Sequence, residues 1–284
     1  MKGHRHTMTS HIVSNDSASQ YAMPVVEEML LHVVKVWTMV AGRCLTNATG
    51  FFYQQDGYLY LVTAQHVVHN PSAGHHPDSL HVSLHVDDRN LQNINELSIP
   101  LYVGGVRQWY QCTACEDADI VAVAINEPYV LSRHVVRPFL RQDILCQSTP
   151  LALGQDALIL GFPLGFHDTV HHLPIVRRAS IASSFPHPFK GQPYFLTDGR
   201  LHRGMSGSPI IARIRDDLKP ENSDRSVWRL LGIHTSSLDV SDRDPSQDER
   251  LALNKSWYAT LIPEMLPKPM NSKSLFDSKK IRES

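Results

Sequence analysis

Asp56-Gly57 stands between two segments dominated by apolar, aromatic and β-branched residues, Thr49 to Tyr53 and Tyr58 to Ala64. An Asp-Gly pair readily takes the left-handed dihedrals of a tight hairpin turn, so the flanks are predicted to pair as antiparallel strands across Gln54-Gln55-Asp56-Gly57. Segments of the same kind recur along the chain. Val33 to Val40, Leu80 to Val86, Leu97 to Val103 and Asp119 to Ile125 make up a first group. Ala152 to Phe162, Ile175 to Ser183, Tyr194 to Thr197, Pro209 to Ile214, Val227 to His234 and Trp257 to Ile262 make up a second. Many short strands at close spacing, punctuated by Gly, Pro, Asp and Asn, predict an all-β chain of barrels rather than a βαβ sheet. Pro24 to about Leu31 reads as a short helix, and Tyr129 to about Ser148, weakly periodic, as the connection between two halves.

The 284 residues, 42% of them hydrophobic, suffice for one large core or two coupled ones. The expected organisation is a flexible N-terminal segment over 1–23, a folded domain over 24–266 with halves at about 33–128 and 150–266, and a disordered basic and polar tail over 267–284. Asp216 to Arg225 and Asp239 to Arg250 read as charged surface loops.

Composition narrows the function classes. A net charge of -1 makes no electrostatic case for nucleic acid or a membrane surface. No apolar run reaches the roughly 18 to 20 residues of a membrane helix, which predicts a soluble protein. Met1 to Gln20 is polar and lacks a basic region followed by an apolar one, so no secretory signal is read and a cytoplasmic location is expected. Asn47-Ala48-Thr49 matches a glycosylation acceptor, a chance match in that setting. Four cysteines are too few for a disulfide scaffold, and Cys112-x-x-Cys115, with no second such pair, reads as structural or incidental thiols rather than a zinc or redox site. The 17 histidines are scattered. His81 and His85, four apart on a strand, would lie about 13 Å from each other, too far to chelate. Neither metal nor cofactor is expected.

The chemistry concentrates at Leu201-His202-Arg203-Gly204-Met205-Ser206-Gly207-Ser208-Pro209. A serine between two glycines, in a turn entering an apolar strand, is what an exposed nucleophile needs. The glycines admit dihedrals that a side chain forbids, and the amides of Gly204 and Ser206 would converge on an oxyanion. A serine hydroxyl needs a base, and that base an orienting carboxylate. His66 ends the segment Tyr58-Leu59-Tyr60-Leu61-Val62-Thr63-Ala64-Gln65-His66, and Asp119 opens the strand Ile120-Val121-Ala122-Val123. Asp117, two residues earlier, is the competing carboxylate.

Leu-Val-Thr-Ala-Gln-His66-Val, then Asp119-Ile-Val-Ala-Val, then Gly-Met-Ser206-Gly-Ser-Pro, in the order His, Asp, Ser, resemble the three catalytic blocks of the trypsin-like serine peptidases. Leu158 to Gly165 and Thr197 to Pro209 are similar to the bacterial-type branch that includes the HtrA/Deg peptidases. The resemblance spans roughly Val33 to Leu266. It implies two six-stranded antiparallel β-barrels with the active site between them, and a serine endopeptidase acting on a protein or peptide substrate. It also implies His66, Asp119 and Ser206 as catalytic residues and the amides of Gly204 and Ser206 as the oxyanion hole. Two positions depart from the family: Val67 stands where a disulfide cysteine is common, and Met205 where Asp or Asn is common. A catalytically impaired domain that binds peptides is the alternative, against which all three triad residues are retained. An α/β-hydrolase is disfavoured because His66 and Asp119 precede the serine rather than follow it. About twenty residues follow the last strand, too few for the PDZ domain of HtrA peptidases, and oligomeric state is left open.

The resemblance also places Leu230-Leu231-Gly232-Ile233-His234-Thr235-Ser236-Ser237 along the primary specificity pocket and beside the substrate backbone. Gly-Ile-His is similar to the stretch that glutamate- and glutamine-selective members carry there, so His234 would offer an imidazole N-H to substrate. Arg200 falls at the family's pocket floor, and Thr235 and Ser236 complete the substrate-binding set. The other reading has His234 buried and satisfied, Arg200 in solvent, and a pocket for small apolar side chains.

Overall fold

The computed structural model describes residues 27–125, 127–215, 226–238 and 251–267. The expected N-terminal segment, both charged loops and the tail beyond Pro267 lie outside the described residues. The first half of the chain forms β1 (Val33–Val40), β2 (Arg43–Gln55), β3 (Tyr58–Thr63), β4 (Ser79–His85), β5 (Ile94–Pro100), β6 (Tyr102–Val103), β7 (Val106–Arg107), β8 (Trp109–Gln111) and β9 (Val121–Ile125). The second half forms β10 (Asp156–Gly161), β11 (Ile175–Ser180), β12 (Tyr194–Thr197), β13 (Ser208–Arg215), β14 (Ser226–Leu238) and β15 (Leu253–Tyr258). Three short helices join them, α1 (Gln65–Val68), α2 (Glu127–Arg133) and α3 (Leu261–Met265). Among the described residues, no helix is long and apolar enough to cross a membrane.

The all-β expectation holds. The first sheet runs β5-β4-β1-β2-β3-β9-β8 and the second β11-β10-β13-β14-β15-β12, every pairing antiparallel. The second sheet curls until its edges meet: Ile181 bridges Thr197, and Ala182 N donates to Leu196 O at 2.8 Å. In the first, Gln108 N donates to Leu101 O at 2.9 Å, joining the end of β5 to the start of β8. The first sheet carries seven strands because β8, three residues long, adds to β9. A strand that short leaves no periodicity to read.

The hairpin turn forms as its residues demand. Asp56 and Gly57 have φ of 52° and 82°, and Gln55 pairs with Tyr58 across a two-residue loop. Several expectations shift: the strand expected over Leu97 to Val103 is divided between β5, ending at Pro100, and β6, which pairs with β7 in a separate two-stranded sheet. The N-terminal helix is a 3-10 turn over Glu28–His32, and the strand expected over Trp257 to Ile262 stops at Tyr258, after which Leu261 opens α3. A short apolar run does not distinguish strand from buried helix.

Packing follows the two-residue period of the strands. Phe52, Leu59, Leu61, Leu80, Val82 and Val123 fill the interior of the first sheet; Ile159, Phe195, Met205, Ile210, Leu231 and Tyr258 fill that of the second. The alternate residues Phe51, Tyr53, Tyr60 and Val62 face outward but are not solvated, because they meet Leu160, Phe162, Leu230, Ile233 and Trp257 in a third cluster between the sheets. Phe51 and Phe52, adjacent on β2, are 0% and 1% exposed on opposite faces. That shared layer sets one half against the other and creates the seam on which the functional groups lie.

Candidate active site

Ser206 sits in the turn between β12 and β13, and that turn is docked onto the first sheet. Thr49 N of β2 donates to Ser206 O at 3.0 Å, and a Cβ on Gly207 would overlap Thr49 O and Thr63 Oγ1. Gly207, with φ of +89°, is therefore required twice, by its dihedral and by the closeness of β2 and β3. Three residues beyond Thr63, α1 carries His66. Asp119 holds this residue at two points, Oδ1 accepting from His66 N at 3.0 Å and Oδ2 contacting Nδ1 at 2.8 Å. With Nδ1 carrying the proton and donating it in a hydrogen bond to that carboxylate, Nε2 is the acceptor. Gln65 N donates to Asp119 O at 3.2 Å, which fixes the same loop against α1. Asp117 is exposed and takes no part in this contact. The structure thus brings His66 and Asp119 together and sets the Ser206 turn against β2 and β3, the second of which leads into α1.

Ser206 Oγ donates to Thr235 O at 3.0 Å, and among the described residues no hydrogen bond joins it to His66. Thr235 is free for this because β14 bulges there: His234 pairs with Ser256 and Ser236 with Lys255, leaving Thr235 outside the ladder. The β14 backbone also receives Gly207 N at His234 O, 2.8 Å away.

The carbonyls of residues 202–206 are all engaged. Arg203 O accepts from Leu164 N at 2.6 Å and Gly204 O from Thr49 Oγ1 at 2.7 Å; Thr49 Oγ1 accepts in turn from Phe162 N at 3.1 Å. Met205 N and Ser208 N bond within the turn, to His202 O at 3.2 Å and Met205 O at 2.9 Å. Among the described residues, the amides of Gly204 and Ser206 have no acceptor. Met205, where relatives in the resemblance carry a polar residue, is fully buried in the second core, with Ser208 Oγ 3.9 Å from its sulfur. Apolar packing holds this turn from below.

His234 and Thr235 are 3% and 2% exposed, and among the described residues neither His234 Nδ1 nor Thr235 Oγ1 has a partner. Burial pushes the His234 imidazole down to about 3, with His66 acting the same way and Asp119 against it. Ser236 is exposed, as is Arg200. Cys112 and Cys115 of the C-x-x-C pair are unbridged, Cys112 buried and Cys115 half-buried in the loop before Asp119. Sequence reasoning missed Thr49, Thr63 and Leu164, which shape the turn from strands and loops distant in the chain. Their only signal was a hydroxyl at otherwise apolar strand positions of β2 and β3, and for Leu164 none.

The fold is similar to that of a serine endoprotease from Yersinia pestis, at 16% identity and a TM-score of 0.48 over 89% of this chain and 64% of that one. It is also similar to the HtrA-type protease AlgW solved with a tripeptide, at 15% identity and a TM-score of 0.47 over 89% and 61%. An inactive form of Rv3671c from M. tuberculosis H37Rv matches at 18% identity and a TM-score of 0.43 over 88% and 94%. The chain spans less than two thirds of the length of the first two. No curated protein matches the sequence. The trypsin-like peptidase domain family matches residues 48–215, a stretch that begins on β2 beside Thr49 and ends with β13. That match takes in more than half of the residues, and by it this chain belongs to the family of trypsin-like peptidase domains.

Proposed function

We propose that the protein is a serine endopeptidase working through an acyl-enzyme. The observation that carries this reading is the double hold of Asp119 on His66, which leaves Nε2 as a base at the strands where the Ser206 turn docks. Rotation of the Ser206 hydroxyl away from Thr235 O presents its proton to His66 Nε2, since such contacts commonly tighten only with substrate bound. Oγ then attacks the peptide carbonyl. His66 takes the proton and passes it to the departing amine, Asp119 stabilises the imidazolium, and water releases the acyl group by the same path in reverse. The unengaged amides of Gly204 and Ser206 receive the oxyanion, each worth about 3 kcal/mol of transition-state stabilisation.

On the acyl side, β14 supplies the pocket and backbone contacts through His234, Thr235 and Ser236. The unpartnered His234 Nδ1 and Thr235 Oγ1 support a pocket for a polar side chain, because buried polar atoms left unpaired each cost about 1 to 3 kcal/mol. Arg200, exposed before the nucleophile, adds no support for a cationic floor. A fluorophosphonate probe tests the whole assignment. One covalent adduct at Ser206, absent in Ser206→Ala and strongly slowed in His66→Ala, is the expected result; peptide cleavage by Ser206→Ala at the parent rate would sink it.

A further inference from the structure

Lys35 lies on β1, in the first sheet, yet its Nζ donates to Gly165 O of the second half at 3.0 Å. The ammonium also stands 4.8 Å from the Trp37 ring centroid, and it has no carboxylate partner among the described residues. Half-buried, it is a cation withdrawn from water, and burial pushes its pKa down. Gly165 ends a tight turn in which its amide donates to Phe162 O at 2.9 Å. A Cβ there would lie 3.3 Å from both Lys35 Nζ and Asn47 Nδ2, so the first sheet closes on this turn from two side chains. Between them, Leu164 is held at φ 54° and ψ 21°, a left-handed conformation that costs a non-glycine residue about 1 kcal/mol or more. Its side chain, 61% exposed, does not repay that cost by burial. What the conformation achieves is the aim of the Leu164 amide, which meets Arg203 O at 2.6 Å.

Arg203 O and Gly204 N belong to one peptide unit. In a planar trans peptide the C=O and N-H point in opposite directions, so holding Arg203 O toward Leu164 turns Gly204 N-H away from Leu164. We propose that Lys35 is a positioning residue for the oxyanion hole: through Gly165 and Leu164 it fixes the Arg203–Gly204 peptide with the Gly204 amide presented to the substrate oxygen. Without the lysine, Gly165 O keeps only the local contact of His167 Nδ1 at 2.8 Å, the 163–165 turn is tied to the nucleophile turn by the Leu164–Arg203 bond alone, and with Leu164 freer to leave its left-handed state the Arg203–Gly204 peptide is held less firmly. This role rests on the peptidase reading for its catalytic consequence, but the latch itself is a property of the resting protein.

The test compares the parent with Lys35→Met, which keeps the apolar stem on Trp37 and removes the donor, and with Lys35→Arg, which retains a donor. Amide hydrogen exchange is followed over 162–166 and 203–207, alongside the rate of fluorophosphonate labelling and peptide kinetics. Lys35→Met is expected to exchange about tenfold faster in both segments with β3 and β9 unchanged. Its labelling rate and kcat are expected to fall by about tenfold or more, with KM altered by less than about twofold and Lys35→Arg restoring most of the rate. Unchanged exchange in both segments overturns the latch, and faster exchange with an unchanged kcat overturns the positioning role. A parent protein that is not labelled at all overturns the peptidase reading instead, and exchange still decides the latch. Lys35→Leu, which also removes the donor, gives the same comparison should Lys35→Met fail to fold.

Discussion

Thr49 of the first sheet donates its hydroxyl to Gly204 O of the second at 2.7 Å while accepting Phe162 N at 3.1 Å. One buried side-chain oxygen therefore ties the floor of the nucleophile turn to the strand that leads into the Leu164 turn. Thr49→Val keeps the shape and removes the oxygen, leaving a carbonyl and an amide buried without partners. The expected loss is about 2 to 4 kcal/mol of stability, at about 1 to 3 per orphaned group with partial relaxation. Urea unfolding followed by tryptophan fluorescence measures it, and Thr49→Ser should recover most of the loss.

Asp119 and Asp117 are expected to separate by function. Asp119→Asn exchanges an acceptor for an amide at His66 Nδ1 and favours the wrong tautomer, so kcat should drop about 10⁴-fold with the fold retained. Asp117→Asn, at an exposed position, should leave kcat within about twofold, as surface substitutions usually do. Steady-state kinetics on one cleaved peptide distinguish them, and the opposite pattern would exchange their roles.

Gly207→Ala is expected to be the most damaging single-methyl change at the site. Its Cβ would overlap Thr49 O and Thr63 Oγ1, and its φ of +89° is unfavourable for alanine. Relief requires the turn to lift from the first sheet, which moves Ser206 away from His66. Labelling by a fluorophosphonate should fall at least about 100-fold, the scale of a displacement of about 1 Å at a reacting group. A labelling time course suffices to check it.

Acid should weaken the fold through two buried histidines. Burial holds His234 at about 3, and burial with the nearby Arg137 charge holds His32 at about 4, both below the 6.5 of an unperturbed imidazole. Below pH 6.5 the unfolded chain takes up protons that the folded chain refuses, so stability is complete above that pH. It then falls by up to about 1.4 kcal/mol per pH unit for each group, until about pH 4 for His32 and about pH 3 for His234. His32→Phe preserves the stack on Phe139, whose ring centroid lies 4.3 Å away, and should flatten the slope between pH 6.5 and 4. Urea midpoints at pH 7, 5.5 and 4.5 give the comparison.

Neutral His234 has a consequence for substrate choice. An uncharged imidazole donates one N-H to an amide oxygen without needing to neutralise a carboxylate, whereas an ionised glutamate would enter a buried pocket with no compensating charge. Glutamine is therefore expected to exceed glutamate before the cut at pH 7.5, and the preference to vanish in His234→Ala. A peptide library varied at that residue decides it; selection of alanine or valine, unaffected by the substitution, rejects the polar pocket.

What could be read from the residues alone was local. Asp56-Gly57 announces its turn, and His66, Asp119 and Ser206 lie in short strings whose chemistry is legible in place. The contacts that make these strings a site are not local. Thr49 meets Gly204 across 155 residues and Lys35 meets Gly165 across 130, separations at which periodicity and turn chemistry are silent. The same limit hid β8 and blurred the end of β15, where three residues or a buried apolar run satisfy strand and helix alike. His234 was legible as a residue of interest, but its neutrality follows from burial, which only the packed strand reveals.

On the peptidase reading, the layer of side chains shared by the two sheets also sets when the groups needed for cleavage come together. His66 and Asp119 are delivered by the first sheet and Ser206 by the second, and the joint between them is made only when Phe51, Val62, Phe162 and Ile233 have closed together. On that reading, a chain with one half folded ahead of the other would hold the base without the nucleophile or the nucleophile without the base. Cleavage would, on the same reading, begin only once the two halves have closed on each other.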